Sequence, residues 1–231
     1  MPPVREFRQL RFQPPPGATE ILLVRHGESE PAVEGRRFAL LHGQGDPDLS
    51  PEGRAQAERV GARLASEDIG AIYVTSLRRT AQSAEPLAQA LGLQCVVEPD
   101  LREVFVGEWE GGLLRKKVAE RDPVALRLSE EQRWDVIPGA EPAEDFARRV
   151  RHAVERIAAT HGEQRVAVFT HGGTIGELLA QATGSAPFAF TGSDNASISH
   201  LVVTAQRWIV RRFNDTAHLD DVSPQRLQPH Q

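Results

Sequence analysis

The sequence predicts an α/β fold built on a mainly parallel sheet. Three observations predict it. Short unbroken apolar runs, Ile21-Leu22-Leu23-Val24 and Val166-Ala167-Val168-Phe169, suit strands buried on both faces. Segments with apolar residues at helical spacing lie between such runs. Strand and helix alternate along most of the chain, the order that gives parallel pairing.

Residues 1–19 read as an extension. Pro2-Pro3 and Pro14-Pro15-Pro16-Gly17 exclude helix and favour extended backbone. Arg5, Arg8 and Arg11 make it mildly basic, and Phe7, Leu10 and Phe12 let it dock on the body or on a neighbouring subunit. The body is expected over 20–219, opening with a strand at 20–25 and the Gly-rich segment Gly43-Gln44-Gly45-Asp46-Pro47-Asp48. Ser50 is an N-cap candidate, Pro51 suits the first helical position, and Glu52 suits the positive helix end. Ala57, Val60, Gly61 and Leu64 continue that helix as an apolar stripe. Ala71-Ile72-Tyr73-Val74-Thr75 is a second strand, 78–91 a helix ended by Gly92, and 94–97 a third strand. The stretch 105–140, with Trp109, Trp134, Gly111-Gly112 and Pro138-Gly139, reads as loops and short helices over a site. A helix at 142–160 buries Phe146, Val150, Val154 and Ile157. A strand at 165–170, a helix at 173–183 and a hairpin of 198–203 with 207–213 follow. Residues 220–231 form a polar tail.

With 231 residues, 40% of them hydrophobic and 26% charged, one globular domain is expected. A net charge of −5 gives no reason to expect a nucleic-acid partner. Lys116 and Lys117 are the only lysines, so Arg-rich stretches such as Arg148-Arg149-Arg151 read as solvated helix surface. Cys95 stands alone in a strand, which fits a buried, inert thiol in a reducing cytoplasm. Neither a membrane span nor a signal peptide is expected.

In open α/β sheets, ligands bind beyond the carboxyl ends of strands. His26, the Ser76–Arg79 segment, Glu103 and His171 all follow predicted strands, Glu103 at a distance of several residues. His26 and His171 each precede a glycine and can face one another if their strands are neighbours. Such a set suits phosphoryl transfer. A neutral imidazole attacks phosphorus without metal activation, and its phosphoramidate is labile to water. Arg25 and Arg79 offer planar forks to phosphate oxygens, and His171 offers a third donor. Gly172-Gly173 at a helix start lets backbone N–H groups approach an anion. Glu103 is the carboxyl placed to protonate a leaving alkoxide. Singly, each of these is an ordinary surface residue, strand cap or solvated arginine; their ordered recurrence at strand ends is not. His26, His171 and Glu103 could instead ligate a metal. Two arginines aimed at the same pocket would repel a cation, so no metal and no other cofactor is expected.

These motifs resemble those of the histidine phosphatase, or phosphoglycerate mutase-like, superfamily. Leu23-Val24-Arg25-His26-Gly27-Glu28-Ser29 resembles its L-V-R-H-G-E-T signature. Gly45 to Ala57 is similar to D-x-x-L-T-x-x-G-x-x-Q-A, and Thr75 to Ala84 to S-x-L-x-R-A-x-Q-T-A, which makes Arg79 rather than Arg78 the phosphate ligand. Leu101-Arg102-Glu103 through Gly111 resembles L-R-E-x-x-x-G-x-W-E-G and marks Glu103 as the acid. Thr170-His171-Gly172-Gly173 matches the second histidine motif, and Asn195–Ile198 and Asn214–Leu219 resemble the late segments. The resemblance implies a three-layer α/β/α sandwich, phosphorylation of His26 during turnover, and frequent dimers. It also implies a structural role for Asn214-Asp215 and His218.

Two departures bear on substrate. Many members carry Trp-Asn where Pro31-Ala32 stand here, and Ala32 cannot donate to phosphate; Ser29, Arg36 or Gln44 are the candidates to replace that contact. The mutase branch carries E-R-H-Y-G-G where this chain has Glu103-Val104-Phe105-Val106-Gly107-Glu108, so apolar groups replace those that hold a phosphoglycerate carboxylate. The expected activity is metal-independent hydrolysis of a small-molecule phosphate ester. A phosphoglycerate mutase and a catalytically weak phospholigand-binding protein are the alternatives. Specificity is expected to lie in 105–140 and 31–45, where Arg115, Lys116 and Lys117 either meet an acidic substrate or form a solvated patch.

Overall fold

The apolar runs at 21–24 and 166–169 become neighbouring central strands. The computed structural model describes residues 6–220; the tail from residue 221 and the first five residues of the extension lie outside the described residues. Six strands form the main sheet: β1 (Thr19–Arg25), β4 (Ile69–Val74), β5 (Cys95–Val97), β6 (Arg165–Thr170), β7 (Ile198–Val203) and β8 (Trp208–Asp215), in the order β5-β4-β6-β1-β7-β8. β5, β4, β6 and β1 pair in parallel, while β7 and β8 extend the sheet as an antiparallel hairpin. A small hairpin, β2 (Leu40–Leu41) with β3 (Gln44–Gly45), stands apart from it.

Alternation along β1 divides the core in two. Leu22 and Val24 point to one face, where α1 (Pro51–Leu64) brings Val60 and Leu64, and α2 (Arg78–Leu91) brings Ala84 and Leu87. Ile21 and Leu23 point to the other, against Phe146, Val150, Val154 and Ile157 of α5 (Ala143–Thr160) and Ile175, Leu178 and Leu179 of α6 (Gly172–Thr183). The result is the helix–sheet–helix sandwich. Over one end lie α3 (Leu113–Ala119), α4 (Pro123–Glu131) and short 3-10 turns, the irregular stretch expected between 105 and 140.

The β1–β6 pairing positions the site. Arg25 lies opposite Thr170 in parallel register, so the next residues, His26 and His171, leave the sheet side by side. After β1 the chain departs to the α1 face, and after β6 to the α6 face. This divergence between adjacent parallel strands opens a crevice at their carboxyl ends.

Local chemistry secures the first turn after β1. Ser50 caps α1 by accepting from Gly53 N at 3.1 Å, and its hydroxyl donates to Glu28 Oε1 at 2.8 Å. A Cβ on Gly53 would overlap the carbonyl oxygen of Glu28. The helix therefore touches the His26 loop backbone to backbone.

Three sequence expectations need revision. The β2–β3 hairpin was not foreseen; its turn places His42 and Gly43 at positive φ, 50° and 83°, as a two-residue hairpin turn requires. Cys95 is half-buried, because β5 is an edge strand, although burial does push its thiol pKa up. Within the Arg-rich stretch of α5, Arg149 is not a solvated residue: its side chain is 20% exposed and paired with Glu141. In the extension, Phe12 packs under the Arg211 guanidinium, 3.8 Å from ring centroid to carbon, while Phe7 and Leu10 are exposed.

Gly53→Ala should destabilise the fold by about 1–3 kcal/mol, the usual consequence of overpacking, seen as a lower midpoint in a urea melt. An unchanged midpoint would mean that the loop yields without cost.

Candidate active site

His26 and His171 meet at the crevice with ring centroids 5.2 Å apart and planes at 65°. Both are buried. Nδ1 of His26 lies 2.7 Å from the Gly27 carbonyl oxygen. A carbonyl only accepts, so Nδ1 carries the proton and Nε2 keeps its lone pair. Arg79 Nε donates to that same Nε2 at 3.2 Å. The ring's backbone is held too, since Asn195 Nδ2 donates to His26 O at 3.0 Å and Gly27 N donates to Ser83 Oγ at 2.9 Å. Burial, and next the Arg79 charge, push both imidazoles well below the ordinary value of 6.5. They are therefore neutral at neutral pH.

Three guanidiniums border a cavity of about 320 Å³ over His26: Arg25, Arg79 and Arg115. Arg79 donates to Gly45 O at 2.9 Å, Arg25 donates to Ser193 O, and Arg115 donates to Glu30 O at 2.8 Å and Ser29 Oγ at 2.7 Å. Among the described residues none of the three forms an ion pair. Arg78, by contrast, turns outward to Asp46 and Asp48. Burial lowers Arg79 to about 10, which leaves it charged at neutral pH. Arg25 Nε, His171 Nδ1 and Ser193 Oγ are buried without hydrogen-bond partners. Arg25 Nε and Ser193 Oγ both fall within 3.6 Å of where a Cβ on Gly172 would sit. Guanidiniums outside any ion pair, beside unfilled polar groups, suit a small anion.

Glu103 reaches the same cavity from a loop whose carbonyls are all held. Arg149 donates to the carbonyl oxygens of Asp100, Arg102 and Glu103 at 2.6, 2.8 and 2.9 Å. Thr170 Oγ1 donates to Leu101 O, Thr174 Oγ1 to Arg102 O, and Gln44 Nε2 to Glu103 O at 2.7 Å. The Glu103 carboxylate caps α6: Oε2 accepts from Gly173 N, and Oε1 from Thr174 N and Val104 N, at 3.0–3.1 Å. The backbone donors expected to cradle an anion at 172–173 are thus turned, at Gly173, toward Glu103. A side chain on Gly173 would collide with that carboxylate. Oε2 takes only one N–H, so one of its lone-pair positions is left for a proton.

His26, His171, Glu103, Arg25, Arg79 and Gly172 therefore converge, as their positions at and after strands suggested; Gln44, a candidate to replace the missing Asn contact, borders the cavity with its amide donating to Glu103 O. Ser29 is buried and engaged by Arg115. Arg36 borders a separate outer chamber of about 850 Å³, formed by residues from 28–37 and 111–120, and does not join the histidines. Sequence reading missed Arg149 and Ser193 as parts of the site and gave Asn195 only as the start of a late family-like segment. Their signal is tertiary, because nothing in the local sequence says which distant group each one meets. Asn214 and His218 brace the rear: Asn214 Nδ2 donates to Asp194 Oδ2 at 2.8 Å, and His218 Nε2 lies 3.0 Å from Ala196 O. Lys116 and Lys117 pair with Glu34 and Asp122, leaving Arg115 alone of the three at the cavity. Among the described residues no cluster of three or more His, Cys, Asp or Glu side chains is arranged to hold a metal ion, and no helix is long and apolar enough to cross a membrane.

Arg149→Met should free the Glu103 loop and strand Glu141 without its partner. We expect a loss of stability on the order of 3 kcal/mol and a lower kcat with little change in phosphate affinity. A variant with wild-type kcat would show that the clamp does not position Glu103.

Comparison with known proteins agrees with this geometry. A model of the histidine phosphatase superfamily (branch 1) matches residues 21–216. The chain is 34% identical over 211 residues to a metal-independent phosphoserine phosphatase of Arabidopsis thaliana, covering 88% of this chain and 84% of that protein. It is 32% identical over 205 residues to phosphoserine phosphatase 1 of Hydrogenobacter thermophilus, covering 87% and 95%. A mycobacterial glucosyl-3-phosphoglycerate phosphatase superposes with a TM-score of 0.73 at 27% identity, over 86% of this chain and 100% of that one. With the paired histidines at one sheet end and the match along nearly the whole body, the chain belongs to the histidine phosphatase superfamily.

Proposed function

We propose that this protein is a metal-independent phosphatase that hydrolyses small phosphomonoesters through a phosphohistidine on His26. One observation carries the proposal: a neutral imidazole with its Nε2 lone pair free of a proton, facing a cavity bordered by unpaired guanidiniums. The substrate phosphoryl group enters between Arg25, Arg79 and His171, whose free donors take its oxygens. Nε2 of His26 attacks phosphorus in line with the ester oxygen. The P–O bond breaks, and the leaving alkoxide takes a proton from Oε2 of Glu103. Water then attacks phospho-His26, gives its proton to Glu103, and releases inorganic phosphate with the ring restored. Catalysis on this scheme is mostly preorganised positive charge and position.

Phosphoserine is the first substrate to test, given the relatives that bear that name. A mutase is disfavoured by Val104 and Val106, which are buried at the cavity and offer nothing to a phosphoglycerate carboxylate.

A panel of phosphomonoesters assayed with chelator present tests the proposal. We expect turnover by the wild type, and none by His26→Ala at unchanged circular dichroism. Because His26 is held below 6.5 in the folded protein, its loss of nucleophilicity sets in only below that pH. The acid limb of kcat/KM should therefore lie under 6.5. Activity surviving in His26→Ala, or appearing only above pH 9, would contradict the scheme.

A further inference from the structure

Arg115 was not singled out by the two histidine motifs, and its neighbours Lys116 and Lys117 are spent on Glu34 and Asp122. Its guanidinium instead closes the outer wall of the His26 cavity. Two neutral acceptors hold it there, Ser29 Oγ and Glu30 O, and the Phe38 ring backs it at 5.5 Å. Among the described residues no carboxylate pairs with it. Its charge is felt at His26 and at Arg79, and Arg25 opposes it in turn. Three like charges border one cavity of about 320 Å³, and the two carboxylates that also line it, Glu103 and Glu110, accept from backbone N–H groups rather than from any of the three guanidiniums. An anion entering between the guanidiniums relieves their mutual repulsion. Ala32, which borders the outer chamber with Arg115, has no polar group to donate.

We propose that Arg115 is a substrate-contacting residue of this enzyme: it donates to an oxygen of the phosphoryl group undergoing transfer, with Ser29 and Phe38 as its positioning residues. This inference rests on the hydrolase mechanism above and adds a third guanidinium to it. Arg115 also borders the outer chamber. The rival assignment is therefore that it binds an acidic group on the leaving alcohol. The phosphoryl assignment is favoured because Ser29, three residues after His26, holds the fork against the nucleophile's own loop.

The experiment uses the full chain with two substrates, p-nitrophenyl phosphate, whose leaving group has no carboxylate, and phosphoserine, whose leaving group has one. Arg115→Ala should lower kcat/KM by about 10²-fold for both, and weaken inhibition by orthovanadate in parallel. Guanidinium ion at millimolar concentration should restore part of the activity to Arg115→Ala but not to His26→Ala. Arg115→Lys, which keeps the charge without the fork, guards against a folding defect and should lose at least tenfold. Wild-type rates in Arg115→Ala, or a loss confined to phosphoserine, would overturn the inference while leaving His26 as nucleophile. Full activity in His26→Ala would overturn the mechanism itself.

Discussion

The hydrogen bond from His26 Nδ1 to the Gly27 carbonyl decides what the rest of the site can do. It fixes the tautomer, so Nε2 meets the cavity as a base rather than as a donor. Much of the surrounding fold exists to keep that carbonyl and that ring in place. α1 approaches the loop closely enough that Gly53 cannot carry a side chain. α2 contributes the Ser83 hydroxyl to Gly27 N, and the segment before β7 contributes Asn195 to His26 O. Three elements distant in sequence thus orient one imidazole.

Around that ring the charges are arranged asymmetrically. Positive groups are held by backbone carbonyls and a hydroxyl, so they keep their full charge for an incoming anion. Both carboxylates that line the cavity are held by backbone N–H groups, Glu103 at the α6 N-terminus and Glu110 by Gly45 and Val106. Donors fixed before the substrate arrives need little reorganisation when charge shifts in the transition state, which is where such sites gain most of their effect. The buried, unpartnered Arg25 Nε and His171 Nδ1 would be costly in a purely structural protein; an anion between them removes that cost.

How much of this was legible in the sequence follows from what each feature depends on. The strands at 20–25 and 165–170 were readable because burial on both faces demands unbroken apolar runs. The meeting of His26 and His171 needed only that these strands be neighbours in register, which the parallel pairing supplies. Helix α1 declared itself through Ser50, Pro51 and Glu52, whose chemistry is local. The clamp by Arg149 could not be read, since its sequence neighbours are exposed arginines and only the packing of α5 against the 100–103 loop separates it from them. The distinction between Arg115 and the two adjacent lysines was equally hidden, because Lys116 turns to Glu34, far along the chain, and Arg115 to Ser29 and Glu30, while Lys117 pairs locally with Asp122. The β2–β3 hairpin escaped because His42-Gly43 carries little turn signal, although Gln44 and Gly45 tie the hairpin to both Glu103 and Arg79.

The most direct measurement is the chemical identity of the trapped phosphoenzyme. Rapid alkaline quenching during turnover, with chelator present, followed by peptide mapping and phosphorus NMR, reports both the residue and the ring nitrogen. The tautomer set by Gly27 requires an acid-labile phosphoryl group on Nε2 of His26. Phosphate on Nδ1 of that ring, on another residue, or nowhere during active turnover would contradict the account.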